Sequence, residues 1–395
     1  MLAAFISMNI AVAGRTGRGG DLLLPWRGIR AALFEGGEPY GGATANAVQR
    51  EVYGRGARAG EKPYILDTPF QIMLLYTPLG VLRDPTLARG VDLFLLEAAL
   101  LALTFLSVQL TDWKPRRLFA ISLFLLTALS FYSLWSLLEG SPAALLGLIY
   151  AGILLSLRGE KDELAGALMA LSLFGWEIGG PFLALIFLRI FQQRRWRVLS
   201  GFLMTSFVML VIALFLYPGW VVPFLRANLA NFRWDYGFTP GAVFTRIWPE
   251  YGERLGWALT GSLLVMLFLE WRVARKAEFR RFYWSACVTL AATPLVGLRT
   301  EMQNLVVLII PLAFIFAIAR ERWKAGYWLS GMLLALVFLV PWALLLGAGV
   351  PARLRDDLLF LFLPVFTVAG LYWIRWWAIR PPRTWLERAT IPEYR

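Results

Sequence analysis

Apolar runs recur along nearly the whole of this 395-residue chain, separated by short polar turns. That recurrence limits the fold more than any motif does. A hydrocarbon core about 30 Å thick takes roughly 17–25 apolar residues per helix. The runs are continuously apolar, without alternation at period two, so they suit helices and not the strands of a barrel. Hydrophobic residues make up 58% of the chain and the mean hydropathy is +0.61, against roughly 45–50% apolar in a soluble domain. No stretch is long and polar enough for a separate soluble domain. The fold class expected is an all-α polytopic membrane protein, one integral membrane domain over 1–395.

The pattern predicts about twelve spans. Met1 to Ala13 is read as a short or truncated first span, because no basic region precedes it and no cleavage site follows. The others are expected near 90–110, 117–136, 142–157, 163–176, 178–191, 198–218, 256–271, 282–297, 303–319, 326–347 and 358–378. Gly179-Gly180-Pro181 is expected to break one long apolar stretch into a hairpin, with a single kinked helix as the alternative. Leu22 to Phe34 reads as an amphipathic helix lying in the interface. Thr68 to Leu82, with Pro69 and Pro78, reads as re-entrant or interfacial.

The net charge of +13 would suggest nucleic acid in a soluble protein. Here the basic residues sit in short runs between apolar segments, which points to topology and excludes a nucleic-acid partner. Lys114, Arg116 and Arg117, then Arg158 and Lys161, Arg194 to Arg197, Arg272 to Arg281, Arg320 to Lys324 and the tail after Arg375 fall on one side. Only Arg299, Arg353 and Arg355 fall in short loops opposite. By the positive-inside rule both termini are cytoplasmic in a plasma-membrane protein, and two long loops, 14–89 and 219–255, face outside. Trp113, Trp196, Trp220, Trp257, Trp323 and Trp376 lie near span ends, as interfacial anchors do.

The chain has no histidine and one cysteine, Cys287. Histidine-based acid–base chemistry, a Ser-His-Asp triad and most zinc sites are therefore excluded. Catalysis is left to carboxylates, Arg, Lys and Tyr, with no cofactor implied and a metal not demanded. Asp21, after Gly19-Gly20, directly follows the first span; it is either an N-cap for the next helix or a general base toward a hydroxyl. Glu38 and Tyr40 lie in a Gly-Pro turn, where the acids bind substrate or are simply solvated. Arg233, Asp235, Tyr236 and Arg246 are the polar content of an unusually aromatic outer loop. Aromatics with Arg suit a sugar face and a phosphate, and an interfacial helix would look similar. Arg299 is the lone basic residue of its loop, and either holds an anionic headgroup or snorkels. Glu97 and Glu177 fall in or beside apolar runs, where carboxylates are functional candidates. Glu97 reads better as a contact between helices. Arg50, Arg55, Arg58 and Lys62 read as contacts to lipid headgroups.

In this order the pieces resemble glycosyltransferase family 87 of the GT-C superfamily, over most of 14–320. The likeness lies in Asp21 after the first span, Gly36-Gly37-Glu38-Pro39-Tyr40, and Pro69 with Pro78-Leu79. It continues through Leu157-Arg158-Gly159 to Ala165-Gly166-Ala167-Leu168, Arg194-Arg195-Trp196-Arg197, Asn231 to Arg246, and Thr293-Pro294. The chain departs from the family pattern at Trp176-Glu177-Ile178 and at Arg299 to Asn304. The resemblance implies a GT-C-like bundle with interfacial helices in its outer loops. It also implies transfer of a sugar such as mannose from a polyprenyl-phosphate donor to a lipid or glycan acceptor at the outer leaflet, with inversion. Asp21 would be the general base, and Arg246 and Arg299 would hold the departing phosphate. Two alternatives remain: a transporter or flippase of a lipid-linked anionic substrate, and a GT-C-like subunit without activity.

Overall fold

The computed structural model describes residues 2–16, 19–234, 236–347, 349 and 351–379. The basic tail beyond Ile379 and Asp235 lie outside the described residues. Among those described, the chain is helical throughout, and its only β pairing is an isolated bridge between Phe238 and Thr300. Six helices are long and apolar enough to cross a membrane: Pro85–Leu110, Trp196–Leu216, Gly252–Ala274, Met302–Arg322, Gly326–Leu346 and Ala352–Ile379. The pair Arg117–Ala128 and Phe131–Glu139, bent by 47°, makes a seventh if it counts as one span. This is the architecture of a helical membrane protein.

The count falls short of the twelve spans expected from apolarity. Ala143–Arg158 and Asp162–Leu171 are apolar but short. The first is largely buried inside the bundle, where neighbouring helices supply the apolar surroundings that lipid would otherwise give, and the second is buried on one side, with Glu163 and Leu164 exposed. The expected break at Gly179-Gly180-Pro181 is also displaced. Those residues lie within one helix, Trp176–Gln193, and Pro181 forgoes a backbone bond without ending it. The interruption falls just before it, at 172–175, where Gly175 takes φ 61 at the N-cap position.

Met302–Arg322 is the central helix and is almost wholly buried. Trp196–Leu216 lies at the edge and is mostly uncovered by the rest of the protein. It is held to Asp162–Leu171 through glycines. A Cβ on Gly166 would lie 2.0 Å from the Val198 carbonyl oxygen, and one on Gly201 would lie 2.4 Å from the Glu163 oxygen. Small residues of this kind let backbones close up where the hydrophobic effect between helices is weak. Arg195, just before the edge helix, pairs with Asp162 at the start of the shorter one.

Segment 19–82 has its own core beside the bundle. Leu22, Leu23, Trp26, Ile29, Tyr40, Val48, Tyr64, Phe70 and Met73 are buried together with Ala213, Trp220 and Ala227. Each large side chain buried this way contributes about 1.5–3 kcal/mol. Trp26 Nε1 donates to the carbonyls of Leu79 and Leu82, at 3.1 and 3.2 Å. A helix is found where one was expected from Leu22, over Gly20–Leu33, but it is buried on most sides and not on one apolar face alone. The Pro-containing stretch is a series of short turns, Phe70–Met73, Leu74–Tyr76 and Thr77–Gly80. Glu97 contacts the first helix as expected: Asn9 Nδ2 donates to its Oε2 at 2.8 Å. Trp113 and Trp220 are buried and so do not serve as interfacial anchors. Trp196, Trp257 and Trp376 are exposed.

Candidate functional site

A cavity of about 380 Å³ opens at the end of the bundle where Ala143–Arg158 and Trp176–Gln193 begin and Phe279–Ala292 ends. Four carboxylates line it (Asp21, Asp67, Glu177 and Glu301) against two cations, Lys62 and Arg299. Both of the long loops identified in the sequence reach it. Segment 14–89 supplies Asp21, Lys62, Tyr64 and Asp67, and segment 219–255 supplies Asn228, Asn231, Phe232 and Tyr236.

Asp21 is not an N-cap. Gly19 occupies that position, and Asp21 lies in the first turn of Gly20–Leu33, where a negative charge suits the helix dipole. Its carboxylate serves a network instead. Lys62 Nζ donates to Asp21 Oδ1 at 2.7 Å and to Glu301 Oε2 at 2.6 Å. Gln303 Nε2 repeats the bridge, to Asp21 Oδ2 at 3.1 Å and to Glu301 Oε2 at 2.7 Å. Two donors thus hold two carboxylates that are 280 positions apart in sequence. Burial works against the charge on Lys62, but Asp21 and Glu301 outweigh it and hold the ammonium well above its usual range. Burial also raises Glu301, and Lys62 pulls it part of the way back.

Backbone geometry places these groups. Tyr64 is buried with φ 47, a strained value for a residue with a side chain. Its ring lies where a Cβ on Gly20 would stand, 2.3 Å away, so only glycine there lets the lysine-bearing segment approach Asp21. On the other side, Phe238 N donates to Thr300 O at 2.7 Å and Thr300 N returns the bond at 3.0 Å. This bridge ties the second loop to the segment carrying Arg299 and Glu301. The Arg299 guanidinium donates to the carbonyls of Asn231 and Phe232, both at 3.4 Å, and lies 4.8 Å from the Tyr236 ring centroid.

Asp67 accepts from Asn231 Nδ2 at 3.2 Å, and Asn231 Oδ1 accepts from Tyr236 at 3.1 Å. Asp67 lines the cavity, and desolvation there raises its pKa. Glu177, in the first turn of its helix and outside the six spanning helices, is pushed up to about 7, first by burial and then by Asp67. Trp176 and Phe232 flank the same space, exposed, with ring centroids 6.4 Å apart.

A group whose pKa is higher in the folded state binds its proton more tightly there. Glu177 therefore favours the fold at low pH, and this contribution is lost as pH rises from about 4.5 through 7. Glu177→Gln is expected to raise the melting temperature in detergent at pH 8.5 and leave it nearly unchanged at pH 4. An equal shift at both pH values would contradict this.

Of the seven residues proposed from sequence for catalysis or binding, Asp21, Glu177 and Arg299 meet in the cavity. The other four lie elsewhere. Arg246 forms a forked pair with Asp357, with its Nε 3.1 and 3.0 Å from the two carboxylate oxygens, so it holds the helix Ala352–Ile379 and is not part of this cavity's lining. Tyr40 is buried and donates to the Thr68 carbonyl at 2.9 Å, a packing role. Glu38 and Arg233 are exposed away from the cavity lining. Arg246→Gln is expected to cost about 2–3 kcal/mol by stranding buried Asp357, with ligand affinity at the cavity unchanged. A selective loss of affinity in a stable variant would return Arg246 to the site.

Sequence reasoning missed Lys62, Asp67, Glu301 and Gln303 as site residues. From sequence Lys62 reads as a headgroup contact, because nothing in its neighbourhood marks it out. Among the described residues, no three His, Cys, Asp or Glu side chains are grouped to hold a metal ion. The space between Asp21 and Glu301 is taken by the Lys62 ammonium.

Fold and site together define a helical membrane protein with an acidic, cation-bridged cavity at one end of its bundle. Comparison with family models, with curated proteins and with solved structures gave no match.

Proposed function

We propose that the protein is a membrane glycosyltransferase that moves a sugar, mannose or a similar one, from a polyprenyl-phosphate donor to a lipid or glycan acceptor at the outer leaflet. The observation that carries this reading is Asp21 in a cavity that also holds two cations and an exposed aromatic pair. The cavity is of a size for small-molecule sites, roughly 300–1,000 Å³. Each part has a place in the reaction. Asp21 takes the proton of the acceptor hydroxyl. The hydroxyl oxygen attacks the anomeric carbon from the face opposite the phosphate, and the bond to phosphate oxygen breaks with inversion. The bonding electrons leave on the phosphate, whose growing charge falls to Arg299. Trp176 and Phe232 offer apolar faces to the sugar. The donor's tail stays among the lipids, which lie beside the spanning helices.

A transporter of a lipid-linked anionic substrate is the second reading. Glu177 favours it, as a carboxylate facing the cavity and titrating near neutrality. Proteoliposomes supplied with labelled polyprenyl-phosphate mannose and a total lipid extract separate the two. Label joined covalently to a new acceptor is the expected result. Label that changes leaflet but stays on its original lipid would replace the transferase with the transporter.

A further inference from the structure

The two cations of the cavity are held in different ways. Arg299 is fixed by two backbone carbonyls and an aromatic ring. Lys62 is held by two carboxylates, Asp21 and Glu301, at 2.7 and 2.6 Å. Those are contacts that an incoming phosphate can replace in kind, because a phosphodiester offers lysine the same charge-assisted bonds as a carboxylate, and the phosphate monoester it becomes when the sugar leaves carries more charge. Lysine also has a flexible four-carbon stem and three donors, so its ammonium moves without moving the backbone. Meanwhile Nζ sits on Asp21 Oδ1, the position an acceptor hydroxyl must reach, about 2.6–3.2 Å from the base. Gln303 occupies Oδ2. As the structure stands, both oxygens of the proposed base already have donors.

We propose that Lys62 is a donor-binding residue whose ammonium leaves its bridge between Asp21 and Glu301 for the phosphate of a lipid-linked ligand, and thereby uncovers Asp21. The identity of the ligand rests on the transferase reading above. In that reaction the acceptor proton passes to Asp21, and the electron pair of the broken bond goes to phosphate oxygen. Lys62 then neutralises the charge that appears there. Base and phosphate clamp are thus linked, and the base is exposed only when a phosphate is in place. Glu301 and Gln303 remain as the seat to which Lys62 returns.

The test is binding, so it does not depend on turnover. Full-length protein in lipid nanodiscs is titrated with farnesyl phosphate and with farnesol, and affinity is read from tryptophan fluorescence. The wild type should prefer the phosphate. Lys62→Gln should reduce that preference by about 10–100-fold, the loss of a charge-assisted contact, with farnesol affinity unchanged. Lys62→Arg should recover part of it. Glu301→Gln keeps Lys62 but removes one competitor for it, and should tighten farnesyl phosphate several-fold. That variant decides the matter if Lys62→Gln does not fold. Inorganic phosphate should compete poorly, since it lacks the tail; equal competition would overturn the assignment to a lipid-linked ligand. No preference in the wild type, an unchanged preference in folded Lys62→Gln, or weaker binding in Glu301→Gln would each overturn the proposal. Phosphate preference lost in Lys62→Gln, with no sugar transfer by the wild type, would remove the transferase and leave the role of Lys62 standing.

Discussion

Asp21→Asn is expected to lower sugar transfer by about 100- to 10,000-fold, the usual contribution of a positioned general base, while the protein still folds. Asparagine keeps the shape of the side chain and one oxygen to accept from Lys62 or Gln303, so the network loses a charge but not its geometry. Lys62 keeps Glu301 as a partner at 2.6 Å, which limits the structural cost. Asp21 is also not the cap of its helix, so the substitution removes no capping bond. The check is initial rate in proteoliposomes beside melting temperature in detergent. Transfer at the wild-type rate in Asp21→Asn would end the general-base assignment. A rate loss that merely follows a loss of folded protein would reduce Asp21 to a structural carboxylate.

Gly166→Val is expected to leave little folded protein. Its Cβ would stand 2.0 Å from the Val198 carbonyl oxygen and 2.5 Å from the Phe202 amide nitrogen. These are backbone atoms of the facing helix and cannot rotate away as a side chain would. Overpacking in a core typically costs about 1–3 kcal/mol, and here two helices must separate, so the cost lies at or above the upper end. The same displacement would strain the Arg195–Asp162 pair at this junction. Gly261→Ala is the control. Nothing lies within 4 Å of its added Cβ, and alanine in a helix interior gains about 0.5–1 kcal/mol over glycine. Size-exclusion profiles and melting temperatures of the two variants check the contrast. A well-folded Gly166→Val would mean that the two helices pack less closely than described.

The helical membrane class was legible in the apolar runs because lipid-compatible helices need little beyond length and hydropathy. The number of spans was not. Apolar content does not separate a helix facing lipid from a short one buried in the bundle, such as Ala143–Arg158. The break near residue 180 was misplaced for a related reason. Gly and Pro mark where a helix can end, but the helical run is interrupted earlier, before Gly175, whose left-handed backbone opens the next helix. For the site, Asp21 stood out because a carboxylate follows an apolar run directly, and Arg299 because it was alone in its loop. Lys62 and Glu301 were hidden by distance. Their partners lie 41 and 239 positions from Lys62, and no local pattern records such a contact. Arg246 misled because an arginine in an aromatic loop looks the same whether it awaits a phosphate or pairs with a distant carboxylate, here Asp357.

The most direct measurement of the central claim is photo-crosslinking of the purified, lipid-reconstituted protein with a diazirine-bearing prenyl-phosphate mannose, followed by peptide mapping. Label is expected on the peptides that carry the cavity-lining residues Lys62, Asp67, Trp176, Phe232, Tyr236 and Arg299, removed by excess unlabelled donor. Label spread along the lipid-facing helices, undiminished by competitor, would contradict it.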